Sequence, residues 1–149
     1  MIRCMDRNDW PAGVVATLEA DPPGGFRAEL AAAIHAFHGR TVPYEARRFG
    51  IAVRDGARLV AGMTGLVAWD WLFIEAVWVD DAARGQGLGR RMLAQAEAHA
   101  RDQGCHSAWL DTFQAEGFYL ALGYERFGVL EAYPARQSRA FLRKRLVQT

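Results

Sequence analysis

One stretch of this chain, residues 72–101, limits the fold more than any other. An apolar run at 72–79 predicts a strand, and a turn at 84–90 with three glycines leads into an amphipathic helix at 88–103. Glycines let the backbone approach a ligand closely, and the first N–H groups of a helix favour an anion. The sequence therefore predicts an anion site at this helix N-terminus, and we expect the anion to be a pyrophosphate.

Composition limits the class of protein. With 149 residues, 51% hydrophobic and 23% charged, we expect one globular domain over residues 1–149. A formal net charge of +1 provides no field for nucleic acid or an anionic membrane surface. No run approaches the roughly 20 apolar residues of a membrane helix, and no signal peptide is evident, so we expect a cytoplasmic protein. Cys4 and Cys105 fit no metal-ligand spacing, so we expect no metal and two reduced thiols. We expect Cys105 to act as a small buried apolar residue.

The order of predicted elements favours an α+β fold. In chain order we predict helices at 11–18 and 26–37, strands at 48–54, 59–68 and 72–79, a helix at 88–103, a strand at 107–112, a helix at 113–122, and strands at 124–130 and 139–146. Residues 1–9 could hold a short first strand. Asp55-Gly56 predicts a hairpin, and the strand at 107–112 should lie parallel to that at 72–79. On the helix at 88–103, Glu97 and Arg101 form an i,i+4 pair that should face outward.

Two common phosphate-binding patterns do not fit the glycine turn. A P-loop needs Gly-Lys before Ser or Thr, and a Rossmann turn needs a third glycine where Arg90 stands. What remains is Arg84-x-x-Gly87-x-Gly89. This pattern is similar to the Q/R-x-x-G-x-G/A signature of the GCN5-related N-acetyltransferases (the GNAT family), which holds the pyrophosphate of acetyl-coenzyme A.

A second motif strengthens this resemblance. Residues 117–125 resemble the closing motif of the family, in which a helix tyrosine lies four residues before a glycine that an aromatic residue follows. The resemblance covers about residues 48–147 and includes a branch of small bacterial members. It implies the GNAT fold: a mixed, mostly antiparallel sheet flanked by helices, with a central parallel pair of strands that splays to admit acetyl-coenzyme A.

The resemblance also implies which residues hold the cofactor. Main-chain groups of Val77 and Val79 would bond the pantetheine arm, and the amide of Val77 or Trp78 would lie near the thioester carbonyl. Thr112 stands where the family commonly has asparagine, so it would contact the cofactor with fewer donors. The turn residues that would hold the pyrophosphate are Arg84, Gly85, Gln86, Gly87, Leu88, Gly89 and Arg90.

Two side chains are candidates for the chemistry of acetyl transfer. Tyr119 matches the family tyrosine, and a phenol with a pKa of about 10 can donate a proton to a thiolate leaving group; the alternative is a core aromatic, as for Phe118 and Tyr124. Glu75 is the candidate base, because alternation would place it on one face with Val77 and Val79, where partial burial would raise its pKa. The alternative for Glu75 is an ion pair with an arginine.

Other features keep two interpretations each. Asp111 could serve the acceptor or cap the following helix. The basic run at 143–145 could attract the 3′-phosphate of the cofactor or form a solvated edge. Trp69, Trp71 and Trp78 could line an acceptor pocket or pack in a core or a homodimer.

The function that this sequence favours is acetyl transfer from acetyl-coenzyme A to a primary amine of a small molecule or peptide, by direct attack in a ternary complex. The rival is a non-catalytic acyl-coenzyme A-binding regulatory module of the same fold. The sequence does not distinguish among a simple amine, an aminoglycoside-like antibiotic, an amino acid and a peptide as the acceptor.

Overall fold

A computed structural model describes residues 10–18 and 20–147. The chain divides into two units, Met1–Pro43 and Tyr44–Thr149. In the first unit the helix α1 spans Gly24–His38, which confirms the helix predicted at 26–37. At its end the Gly39 N–H donates to the His35 carbonyl and the Arg40 N–H donates to the Phe37 carbonyl. None of the described helices is long and apolar enough to cross a bilayer.

The predicted helix at 11–18 is wrong. Val14 N–H donates to the Pro11 carbonyl at 2.9 Å, but this single turn does not continue. Gly13 has a φ of +81°, a left-handed conformation that interrupts helical hydrogen bonding. The strand considered within residues 1–9 lies outside the described residues.

The second unit is built on a six-stranded sheet. Its elements are β1 (Arg47–Asp55), β2 (Arg58–Ala68), β3 (Trp71–Val79), a short 3₁₀ turn (Asp81–Ala83), α2 (Leu88–Asp102), β4 (Ser107–Thr112), α3 (Glu116–Ala121), β5 (Glu125–Glu131) and β6 (Ser138–Arg145). The strand order is β1-β2-β3-β4-β6-β5. Only β3 and β4 run parallel, and every other neighbouring pair is antiparallel. The predicted α+β class and the parallel crossover are confirmed.

Two tight turns connect the antiparallel strands β1, β2 and β3. Asp55 pairs with Arg58 across the predicted hairpin, where Gly56 has a φ of +59°. Trp69 and Asp70 both have positive φ, at 48° and 61°, between β2 and β3. Positive φ at the central residues of such turns matches the right-handed twist of the strands.

The core lies between the sheet and α2, which packs on β2 and β3. From α2, Met92, Leu93, Ala96 and Ala100 are buried, as the helical spacing predicts. From the sheet, the buried side chains include Leu72, Ile74, Ala108, Leu110 and Leu142. Cys105 is also buried there, and burial raises the pKa of its thiol, in agreement with an unreactive apolar role. Cys4 lies outside the described residues.

Candidate active site

The parallel strands β3 and β4 pair only at their first residues. The three paired positions are Trp71 with Ser107, Leu72 with Ala108, and Phe73 with Trp109. At the last of these, the rings of Phe73 and Trp109 stack with centroids 4.1 Å apart. Beyond this point β3 pairs with β2 alone and β4 pairs with β6 alone. The two strands therefore enclose a gap, here called the strand gap, that opens toward Val79 and Thr112. This is the predicted splay.

A β-bulge in β3 lies beside the strand gap. Gly65 of β2 pairs with Ile74, and the next residue, Thr64, pairs with Ala76, so Glu75 is the extra residue. Ile74 and Val77 both contact the core, with two exposed residues between them. The prediction that Glu75 shares a face with Val77 and Val79 is wrong, because the bulge shifts the alternation by one residue.

Glu75 forms an ion pair with Arg48 of β1. The Glu75 side chain is 25% exposed and the Arg48 side chain 70% exposed. This contact is the arginine ion pair that the sequence left open as an alternative. It involves only one carboxylate oxygen, and within the described residues the second oxygen of Glu75 has no hydrogen-bond partner. The carboxylate can therefore accept a further donor.

The glycine turn leaves an open surface at the start of α2. Gly85 and Gly87 have φ values of +78° and +75°, which residues with a Cβ atom adopt only under strain. A methyl group built on either glycine would meet no atom within 4 Å, so the space above both is empty. Gly87 is the N-cap, and no side chain bonds the first amides of the helix. These N–H groups are therefore available to an acceptor from outside the chain.

The side chain of Arg84 holds the turn in place. Its Nε donates to the Val79 carbonyl at 3.3 Å, and its guanidinium lies 2.9 Å from Asp81 Oδ1. Arg84 thus ties the end of β3 to the glycine turn. Gln86 and Arg90 are exposed beside it.

Tyr119 lies on α3, between two aromatic rings. It is 6% exposed, and its ring centroid is 5.0 Å from that of Phe118 and 5.7 Å from that of Tyr124. Burial raises the pKa of its phenol. The hydroxyl makes no hydrogen bond among the described residues, where Arg139 Nε is the only fully buried side-chain polar atom without a partner. The Tyr119 hydroxyl therefore keeps some access from outside.

Phe118 connects α3 to the glycine turn. A methyl group at Gly89, in the first turn of α2, would lie 3.2 Å from Cζ of Phe118. That separation is tighter than ordinary van der Waals contact, so glycine at this position lets the two helices meet. The two motifs that carried the family resemblance thus touch in space.

Thr112 and Asp111 have separate roles at the end of β4. Thr112 Oγ1 accepts from the Ala115 amide at 3.1 Å, and so caps the turn before α3. Asp111 forms an ion pair with Arg139 of β6. The guanidinium of Arg139 lies over the rings of Tyr133 and Phe113, at 4.4 Å and 5.4 Å. The helix-cap interpretation of Asp111 is therefore wrong, since its carboxylate pairs with Arg139 and α3 has no side-chain cap hydrogen bond.

The basic run at 143–145 lies at the closed end of the strand gap. Arg143 and Arg145 of β6 pair with Trp109 and Ser107, the residues of β4 that still neighbour β3. The glycine turn follows the opposite end of β3. Eight residue steps along a strand span about 26 Å. This position argues against a contact with the 3′-phosphate of the cofactor.

Sequence reasoning missed a polar cluster of three residues around the buried carboxylate of Glu97. Glu97, predicted to face outward, is 6% exposed and accepts hydrogen bonds from Lys144 and Tyr124. Its predicted contact with Arg101 is present, at 4.0 Å. Glu97 is separated from Tyr124 by 27 residues and from Lys144 by 47. No local spacing rule could have paired them.

Comparison with known proteins agrees with this geometry. The family model described as "Acetyltransferase (GNAT) family" matches residues 12–124. Blasticidin-S acetyltransferase of Streptomyces morookaense is 41% identical over 102 residues, which cover 64% of this chain and 75% of that protein. The chain belongs to the GNAT family and is an N-acetyltransferase.

Two solved structures share the fold. A crystal structure assigned as an acetyltransferase of Agrobacterium tumefaciens superposes with a TM-score of 0.82 at 27% identity, over 89% of this chain and 99% of that one. An aminoglycoside 6′-N-acetyltransferase complexed with coenzyme A has a TM-score of 0.61 at 18% identity, over 68% and 74% of the two chains. The predicted GNAT fold is confirmed.

Proposed function

We propose that this protein transfers the acetyl group of acetyl-coenzyme A to a primary amine of a small molecule, by direct attack in a ternary complex. The observation that carries the proposal is the strand gap, which opens toward the end of β3 that leads to the uncapped N-terminus of α2. Few other arrangements offer one ligand both an unpaired strand edge and a helix N-terminus for phosphate.

The residues present fit coenzyme A in two places. Amides of the turn from Arg84 to Arg90 would bind the pyrophosphate, where Gly85 and Gly87 leave the backbone uncovered. Main-chain groups of Val77, Trp78 and Val79 on the gap side of β3 would bond the amides of the pantetheine arm, as a further strand would. The structural neighbour complexed with coenzyme A supports this assignment.

When bound, acetyl-coenzyme A supplies an activated thioester. The transfer then needs a neutral amine, donors toward the developing oxyanion and a proton for the leaving thiolate. A main-chain N–H at Val77 or Trp78, next to the bulge, would serve the oxyanion. Tyr119 would protonate the thiolate, because its phenol stays protonated at neutral pH and its hydroxyl is not engaged elsewhere.

Glu75 would receive the proton of the attacking amine, directly or through water. Its position supports this role, since it is the bulged residue of the strand that borders the gap. Arg48 would hold the carboxylate through one oxygen and leave the other for the amine. Thr112, whose oxygen caps the turn before α3, still has a hydroxyl proton to donate toward the cofactor.

The relatives support a choice of acceptor class. One acetylates blasticidin S, as its name states, and a structural neighbour acetylates an aminoglycoside. We propose an amine-bearing antibiotic or a small molecule of similar kind as the acceptor, rather than a protein lysine.

The test is acetyl-coenzyme A turnover, followed as released thiol, on a panel of amines that includes blasticidin S, aminoglycosides, amino acids and a lysine peptide. We expect turnover on at least one small amine and a loss of about 10²-fold or more in kcat for Tyr119→Phe. Tyr133→Phe is the matched control: it also removes a phenolic hydroxyl, but from an exposed ring, and should keep the rate. Tight coenzyme A binding with no turnover on any amine would instead favour the regulatory module.

A further inference from the structure

We infer that Glu97, Lys144 and Tyr124 form a positioning network that holds Tyr119 in place for proton transfer. This inference rests on the proposed function, because it concerns the residue proposed there as the general acid. The three residues come from different elements: Glu97 from α2, Lys144 from β6, and Tyr124 from the turn between α3 and β5.

The network is closed around a buried carboxylate. Lys144 Nζ donates to both carboxylate oxygens of Glu97, each at 2.9 Å. The Tyr124 hydroxyl donates to Oε1 of the same carboxylate at 3.1 Å. Lys144 holds the Glu97 carboxylate in place, and the hydrogen bond to that carboxylate directs the Tyr124 ring. Burial and the Glu97 charge both raise the pKa of Tyr124, which keeps its hydroxyl a donor.

Tyr124 in turn packs against one side of the Tyr119 ring. The two rings meet edge to face at 5.7 Å, and the Tyr124 amide donates to the Tyr119 carbonyl at 3.1 Å. On its other side Tyr119 meets Phe118, which rests on Gly89. Each flanking ring is therefore anchored on α2, at residues 89 and 97.

The consequence is that one helix governs two parts of the site. The N-terminus of α2 begins at the glycine turn, and two later positions on the same helix fix the rings around Tyr119. A buried ion pair contributes little net stability compared with apolar residues of the same shape, so stability alone does not explain this network. Placement of a proton donor against a cofactor held by the same helix does explain it.

The test is a double-mutant cycle with Tyr124→Phe in the wild-type and the Tyr119→Phe backgrounds. Tyr124→Phe keeps the ring and leaves Glu97 paired with Lys144, so the fold should survive, which the melting temperature checks. We expect kcat to fall on the order of ten-fold, since small misplacement of a catalytic group is costly, while KM for acetyl-coenzyme A stays unchanged. In the Tyr119→Phe background the same substitution should cause no further fall.

Arg101→Gln is the matched control. It removes the other cation near Glu97, which lies 4.0 Å away without a hydrogen bond, and kcat should not change. An equal fall of kcat in both tyrosine backgrounds, or an equal fall for Arg101→Gln, would show a general structural effect and overturn the inference. An unchanged kcat in Tyr124→Phe would overturn it too, with the acid assignment intact. Full activity of Tyr119→Phe would instead overturn the assignment of Tyr119 as the acid, and the inferred role of the network would fall with it.

Discussion

Tyr119 and Tyr124 are adjacent buried phenols with different surroundings. Burial raises the pKa of both, but only Tyr124 also faces a carboxylate, that of Glu97. The Tyr119 hydroxyl has no partner in the described chain, whereas that of Tyr124 donates to Glu97. The hydroxyl of Tyr119 is thus unengaged, as its proposed role requires, whereas that of Tyr124 is held by the protein.

The raised pKa of Tyr124 predicts how stability depends on alkaline pH. Its hydroxyl stays protonated in the folded chain, whereas in the unfolded chain it ionises at about pH 10. Its contribution is therefore complete below that pH and is lost as the pH rises above it. Between pH 10 and 11, the free energy of unfolding of Tyr124→Phe should fall less steeply than that of the wild type, by about 1 kcal/mol per pH unit.

Urea denaturation at a series of pH values measures this difference. Tyr133→Phe removes a hydroxyl from an exposed ring and should keep the wild-type slope. Parallel curves for Tyr124→Phe and the wild type would contradict the prediction.

Sequence could indicate some candidate site residues because their signal is local. The glycine turn and the tyrosine before Gly123 follow spacing rules that depend on a few neighbouring residues. The face of Glu75 could not be predicted, since a bulge is a property of the pairing between β2 and β3. The burial of Glu97 could not be predicted either, because its partners come from residues 124 and 144.

At the scale of elements, the glycine turn joins β3 to α2 without a side chain over its open surface. The sequence pattern around this turn predicted the element boundaries closely: α2 begins at Leu88 as expected, and β4 spans the predicted residues. The last helix is shorter than predicted, since α3 starts only at Glu116. Thr112 explains the difference, because its hydroxyl bonds the amides that precede the helix.

Two glycines of this unit provide a matched test of the turn. Gly87 and Gly56 both have positive φ, and a methyl group on either meets no atom within 4 Å. Alanine should therefore cost each position a similar 1–2 kcal/mol of stability, on the order of the left-handed penalty. Only Gly87→Ala should weaken coenzyme A binding, by roughly ten-fold, because its methyl group occupies the space that the pyrophosphate would use.

Calorimetric titration with coenzyme A, together with melting curves, separates these two effects. Gly56→Ala, in the hairpin between β1 and β2, is the control for backbone strain alone. Equal weakening of coenzyme A binding by both variants would contradict the assignment of the turn.

The helix of the first unit and the long helix of the second unit differ in how many of their side chains are buried. Helices α1 and α2 each contain 15 residues. No residue of α1 is buried, whereas five of α2 are. The prediction of a single domain over residues 1–149 stays a prediction.

This contrast predicts unequal amide exchange in the intact chain. An isolated helix of this length is marginal in water, and local opening follows low burial. Amides of α1 should therefore exchange much faster than those of α2 in hydrogen–deuterium exchange followed by mass spectrometry. Coenzyme A should further protect the first turn of α2. Equal protection of the two helices in the free chain would contradict the prediction.

The bulge at Glu75 has a consequence for how β3 tolerates insertion and deletion. Ile74 and Val77 face the core across two exposed residues, so a strand without residue 75 would regain simple alternation with both side chains on the core face. Residue 75 is therefore supernumerary to the sheet. Its side chain lies outside the core and pairs with Arg48, so a substitution there would change the charge beside the strand gap and leave the core side chains in place.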